Sequence, residues 1–156
     1  MSRLHHDILR SSKVKRLRGT IFVPGDKSIS HRALIIGSLA IGETRISGLL
    51  EGADVQATKN ALIALGADVQ KTLEGDWQVI GVGLGGMISP SSPLDLGNSG
   101  TGVRLLMGVV AGQDITATFI GDASLSSRPM ARITTPLARM GAGISSREDQ
   151  LPVTIT

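Results

Sequence analysis

Val23-Pro24-Gly25-Asp26-Lys27-Ser28-Ile29-Ser30-His31-Arg32 is the stretch on which the reading of this chain turns. Residues 19–23 read as a short strand, and Pro24-Gly25 breaks it. Beyond the break, Ile29, Ala33, Ile36 and Ala40 recur at i, i+4, i+7 and i+11, which predicts a helix over 28–40 stopped by Gly42. Ser28 and Ser30 can cap or face that helix. Lys27 stands at its mouth, and Arg32 falls one turn after Ser28 on the same face. A helix start carries free N–H groups and a positive dipole end. With a lysine and an arginine added it becomes an anion site, suited to phosphate or carboxylate.

The pattern continues with a strand over 44–50, a helix over 55–65 that Asp54 can cap, and strands over 67–71 and 77–82. The order β-α-β-α-β-β then recurs. A short strand over 94–96 leads into the turn Gly97-Asn98-Ser99-Gly100-Thr101-Gly102, followed by a helix over 103–111 and a strand over 115–120. Arg128-Pro129 opens a last helix with proline at its first position, running to Met140 with Pro136 kinking or splitting it. Strands over 143–146 and 153–156 close the series. Arg32 and Arg104 lie 72 residues apart, each after a glycine-bearing turn, and Leu65-Gly66-Ala67 and Met140-Gly141-Ala142 lie 75 apart. The chain therefore reads as a mixed α/β (α+β) protein with a basic tail over 1–18, a first unit over 19–90 and a second over 91–156. Ser89-Pro90-Ser91-Ser92-Pro93 forms the joint.

Composition bounds the function. At 156 residues, 41% hydrophobic and 19% charged, the chain is long enough for a real core. Only 2% is aromatic, so the core must be aliphatic. There is no cysteine, which excludes disulfides, thiol nucleophiles and cysteine metal sites and fits a reducing cytoplasm. No apolar run approaches a membrane span. The net charge of +3 comes from the tail, where Arg3, Arg10, Lys13, Lys15, Arg16 and Arg18 face Asp7 alone. The remainder holds 10 basic and 12 acidic residues, a net −2 with almost no stacking aromatics, which argues against nucleic acid as a partner. The tail reads as a solvated leader, with a transit remnant or an RNA-contacting arm as the alternatives.

Three cationic turns carry chemistry. Lys27-Ser28 is not a nucleotide P-loop, because Asp26 stands where that motif needs glycine before the lysine. Gly81-Val82-Gly83-Leu84-Gly85-Gly86 matches a dinucleotide fingerprint, but Ser89-Pro90 follows where a helix should begin, so it reads as a loop. Residues 97–102 expose backbone N–H groups at a helix start with Arg104 close behind, echoing the first site. Arg128 at a helix start opposes the dipole unless an anion compensates. His31 reads as a helix-surface residue, Trp77 as strand packing, and Arg132 and Arg139 as a solvated face. His5 and His6 lie in the tail, so no histidine metal cluster forms. Asp26, Asp54, Asp95 and Asp122 read as caps, none of them assigned as a general base.

Pro24 to Leu34 (PGDKSISHRAL), Gly97 to Leu105 (GNSGTGVRL) and Gly121 to Met130 (GDASLSSRPM) together resemble 5-enolpyruvylshikimate-3-phosphate synthase, in the wording of its class II bacterial branch. The resemblance covers residues 19–156. It implies repeated βαβαββ units of the inverse α/β barrel-like enolpyruvyl transferase fold. It also implies enolpyruvyl transfer from phosphoenolpyruvate to shikimate 3-phosphate by addition and elimination, without metal or cofactor. It assigns Lys27, Ser28 and Arg32 to shikimate 3-phosphate and Lys27, Asn98, Gly100 and Arg128 to phosphoenolpyruvate, with Lys27 also catalytic. Tolerant class II enzymes carry alanine at the place of Gly100, so the resemblance adds glyphosate as an inhibitor of that pocket. Leu105 departs from the proline of many sensitive enzymes.

Length is the main departure, since the family has two domains of three units each and this chain reads as two units. The expectation is an N-terminal part that is inactive alone and works with a complementary C-terminal segment. A UDP-N-acetylglucosamine enolpyruvyl transferase-like enzyme is the near alternative, although Ser28 and the missing cysteine depart from it. A non-catalytic anion-binding or assembly module is the alternative of another class.

Overall fold

In the computed structural model, which describes residues 10–156, no strand forms over residues 19–23. Ile21, Phe22 and Val23 are 81%, 99% and 76% exposed. A β-prone run becomes a strand only where a ladder partner meets it, and none of the described strands does. His5 and His6, and the tail reading as it concerns residues 1–9, lie outside the described residues.

Helix α1 (Lys27–Leu39) is capped by Asp26, whose carboxylate accepts from the Ile29 N–H at 2.8 Å. The cap is therefore Asp26 and neither serine. Ser30 is instead buried: its hydroxyl donates to the Asp26 carbonyl and accepts from the Leu50 N–H. Gly25 is required here, because a Cβ would lie 2.1 Å from the Gly48 carbonyl oxygen.

The apolar stripe that marks this helix in the sequence is not its buried face. Ile29 and Ile36 are 68% and 66% exposed, whereas His31, Leu34, Ile35 and Ser38 are buried. The exposed isoleucines and the buried set both recur with a 3.6-residue period, so the period alone does not choose the buried face. His31, read as a surface residue, is fully buried.

The chain continues through β1 (Ile41–Ile46), α2 (Ala53–Ala64), β2 (Asp68–Lys71) and β3 (Trp77–Val82). Strand β1 starts three residues earlier than its alternation suggests, since its ladder with β3 runs from Ile41↔Val82 to Ile46↔Trp77. Gly48, at φ +70°, turns the chain away. Gly52 and not Asp54 is the N-cap residue of α2, and it makes no side-chain cap hydrogen bond. The Asp54 carboxylate reaches Lys27 instead. The first sheet has the order β1-β3-β2, all antiparallel. Trp77 packs as read, 6% exposed.

Next come β4 (Leu94–Asp95), α3 (Gly100–Val110), β5 (Ala117–Ile120), α4 (Ala123–Ser126), α5 (Ala131–Arg139), β6 (Ile144–Arg147) and β7 (Gln150–Ile155). The second sheet has the order β4-β5-β7-β6, with β4 parallel to β5. The segment β5-β7-β6 repeats the order β1-β3-β2. Val103, Leu106, Met107 and Val110, at i, i+3, i+4 and i+7 of α3, are fully buried with Phe119, Val153 and Ile155. Each such side chain contributes roughly 1.5–3 kcal/mol by leaving water.

The last helix departs from the sequence reading. Arg128-Pro129 does not open it. Asp122 caps the single turn α4 by accepting from the Leu125 N–H at 2.7 Å, and that turn ends at Ser127. The Met130 N–H is drawn to the Asp149 carbonyl at 2.7 Å, so α5 begins only at Ala131 and then runs through Pro136. The break therefore precedes the proline.

Candidate anion-binding active site

The starts of α1 and α3, the first turn of α2 and the α4–α5 junction surround one cleft of about 640 Å³. Lys27, Asp54, Asn98, Gly100, Arg104, Leu105, Arg128 and Arg132 line it. Of the residues expected in a site, Lys27, Asn98, Gly100 and Arg128 come together here. Ser28 and Arg32 do not line the cleft. They lie exposed on the first turns of α1, where Arg32 Nη1 donates to the Ser28 carbonyl at 3.0 Å.

Lys27 is placed by the Asp26 cap and held by Asp54, with Nζ 2.6 Å from Oδ2. That pair is half open to water, with the lysine side chain 52% exposed, so it adds little stability. Its effect is to fix where the ammonium stands. Behind it, His31 Nδ1 lies 2.8 Å from the Thr58 hydroxyl, and Thr58 donates to the Asp54 carbonyl at 3.3 Å. Burial pushes the His31 imidazole below its usual value, Asp54 opposes that, and the cations Lys27 and Arg32 add to it.

Helix α3 begins at Gly100, three residues before its expected start. Ser99 caps it by accepting from the Gly102 N–H at 3.1 Å. A Cβ on Gly102 would lie 2.5 Å from the Thr58 hydroxyl, so this glycine lets α3 dock against α2. Arg104 reaches back along the helix: Nη1 donates to the Gly100 carbonyl at 2.8 Å and Nη2 to that of Pro129 at 3.4 Å. Its buried Nε has no partner among the described residues. Burial lowers the Arg104 pKa, and Arg132 and Arg128 lower it further by like-charge repulsion.

Arg128 sits at the C-terminal side of the α4 turn, where the dipole favours a cation. Its position is therefore not the unfavourable one expected of an arginine at a helix start. Its Nη2 donates to Asn98 Oδ1 at 2.6 Å and to the Ser124 hydroxyl at 3.2 Å. A Cβ on Gly100 would stand 2.9 Å from Arg104 Nη1 and 3.0 Å from Arg128 Nη1, so two guanidiniums close over one glycine.

Arg132, read as a solvated residue, lines the same cleft four positions after Arg128, and Asp54 stands opposite Lys27. The spacing of Arg132 from Arg128 gave no signal for this, because Arg128 lies before α5 and the two are not on one helix. Among the described residues, four cations thus share a cleft whose one acid is already paired, an arrangement suited to a multiply charged anion.

Mixed helix–sheet units around an open cleft lined by cations define a protein of the α/β kind. The profile of the EPSP synthase family (3-phosphoshikimate 1-carboxyvinyltransferase) matches residues 11–156, and the chain belongs to that family. It is 62% identical over 141 residues to the 3-phosphoshikimate 1-carboxyvinyltransferase of Parvibaculum lavamentivorans, covering 90% of this chain and 31% of that protein. It is 56% identical over 154 residues to that of Zymomonas mobilis, covering 98% of this chain and 34% of that one. Among solved structures, an EPSP synthase of Acinetobacter baumannii superposes with a TM-score of 0.83 at 45% identity, over 88% of this chain and 32% of its own. The chain spans about a third of the length of the relatives it matches. No helix among the described residues is long and apolar enough to cross a membrane.

Proposed function

We propose that this chain supplies one wall of the active site of a 3-phosphoshikimate 1-carboxyvinyltransferase, which moves the enolpyruvyl group of phosphoenolpyruvate to the 5-hydroxyl of shikimate 3-phosphate. One observation carries this reading: Lys27, Arg104, Arg128 and Arg132 converge on a single cleft in which, among the described residues, Asp54 is the acid that opposes them. Both substrates are polyanions, and four cations at that density need such a guest. Lys27, Ser28 and Arg32 are assigned to shikimate 3-phosphate. Lys27, Asn98, Gly100 and Arg128 are assigned to phosphoenolpyruvate, and glyphosate to the same side. Ser28 follows Lys27 directly, and Arg32, rather more than a turn further along α1, folds its guanidinium back to the Ser28 carbonyl, which keeps both on the Lys27 end of the helix.

In the proposed chemistry the 5-hydroxyl gives up its proton and its oxygen adds to C2 of phosphoenolpyruvate while C3 gains a proton. The tetrahedral adduct then expels phosphate as C3 returns a proton, leaving the enol ether. Negative charge grows on the departing phosphate oxygens. Lys27 and Arg128, fixed beforehand by Asp54 and Asn98, stabilise that charge without reorganising. The remaining two thirds of the relatives' length is the proposed partner segment, and the cytoplasm the proposed setting. Exposed Ile29, Ile36 and Ile41 support an apolar contact with such a segment.

A titration of the isotope-labelled chain with phosphoenolpyruvate tests the site. Amide shifts are expected at Lys27, Gly100, Arg128 and Arg132, weakened by salt and by Arg128→Ala. Shifts confined to the basic residues 10–18, or none at all, would contradict the assignment.

A further inference from the structure

Asp122 faces Asn98, and that pair is not needed to cap a helix. Both Asp122 oxygens receive the Asn98 amide: Nδ2 lies 3.0 Å from Oδ1 and 2.8 Å from Oδ2. On the other side of the same amide, Asn98 Oδ1 accepts from Arg128 Nη2 at 2.6 Å. A carboxylate only accepts and a guanidinium only donates, so a single orientation of the Asn98 amide satisfies both. Asp122 selects that orientation. The backbone is built for the contact, since the Asp122 N–H donates to the Gly97 carbonyl at 2.8 Å. A Cβ on Gly121 would lie 2.8 Å from that same oxygen, so glycine there lets the two loops touch.

We infer that Asp122 is a positioning residue for Arg128, acting through Asn98 to turn the guanidinium so that Nη2 is held and Nη1 faces Gly100 and the cleft. This deepens, and rests on, the proposed phosphoenolpyruvate site. The Asn98 amide and the Leu125 N–H both favour the ionised carboxyl and hold Asp122 below the usual carboxylate range, so the relay stays charged at neutral pH. Without the carboxylate, Asn98 can present its amide nitrogen to Arg128, donor against donor, and the guanidinium loses its anchor.

Asp122→Ser separates this role from capping, because serine caps a helix about as well as aspartate but is too short to reach Asn98. Phosphoenolpyruvate is titrated into the full chain, into Asp122→Ser, into Asn98→Ala and into the double variant. The expected result is about a fivefold to tenfold loss of affinity in Asp122→Ser with the melting temperature unchanged, and no further loss when Asn98→Ala is already present. Full affinity in Asp122→Ser, or the same loss repeated in the Asn98→Ala background, would overturn the inference. The Arg128 Nε–H resonance without ligand is the second readout. If the unaltered chain binds no phosphoenolpyruvate, a resonance that moves in Asp122→Ser still upholds the positioning role and the site reading fails instead. A resonance that does not move refutes the role.

Discussion

A methyl group on Gly100 has nowhere to go but into two cations. Arg104 Nη1 and Arg128 Nη1 would stand 2.9 Å and 3.0 Å from it, distances at which one side must yield. Gly100→Ala is therefore expected to turn both guanidiniums outward and to crowd whatever anion they hold. In an enzyme of the relatives' full length that carries this segment, glyphosate inhibition should weaken by about tenfold or more, the scale of one lost charge-assisted hydrogen bond. The Michaelis constant for phosphoenolpyruvate should rise less. An unchanged inhibition constant would contradict it. That Lys27, Gly100 and Arg128 share one cleft was legible through the three family-like motifs that hold them, their roles being proposals. Arg132 was not, because its role depends on where α5 starts, and that is set by the Met130–Asp149 hydrogen bond between residues distant in sequence.

At the scale of elements, helix α1 shows how a correct helix can be given the wrong face. The Ile29, Ala33, Ile36 and Ala40 stripe has the right period, but so does the set built on His31, Leu34, Ile35 and Ser38, and packing against β3 and α2 selects the second. That choice buries His31 as a tie from α1 to Thr58 of α2. Burial lowers the folded-state pKa of this imidazole below the roughly 6.5 of an unfolded chain. At a pH below that value the unfolded state binds the proton more readily, so stability falls as pH drops and levels off once the folded-state pKa is passed. Urea unfolding between pH 7.5 and pH 5 should show this loss, and His31→Asn should flatten that part of the profile. An identical slope in the variant would show that another group is responsible. The strand expected over 19–23 failed for the complementary reason: β-propensity without a ladder partner leaves Phe22 almost wholly in solvent.

For the whole molecule, the sequence showed a repeated order of helices and strands, and the sheets β1-β3-β2 and β5-β7-β6 have the same arrangement. What could not be read was how they face each other, because that rests on close approaches such as Gly102 against Thr58. The result is a cleft with one charged wall, in a chain spanning about a third of the length of its relatives. Catalysis by differential binding needs groups around the whole reacting centre, so one wall alone is expected to bind without turning over. The most direct measurement mixes this chain with the complementary two thirds of the Parvibaculum lavamentivorans relative and follows phosphate release from phosphoenolpyruvate and shikimate 3-phosphate. The expected result is release by the mixture, none by either part alone, and a fall of at least about a hundredfold with Lys27→Ala, the scale on which a preorganised charge stabiliser acts. A folded mixture that releases no phosphate, or one indifferent to Lys27→Ala, would contradict the account.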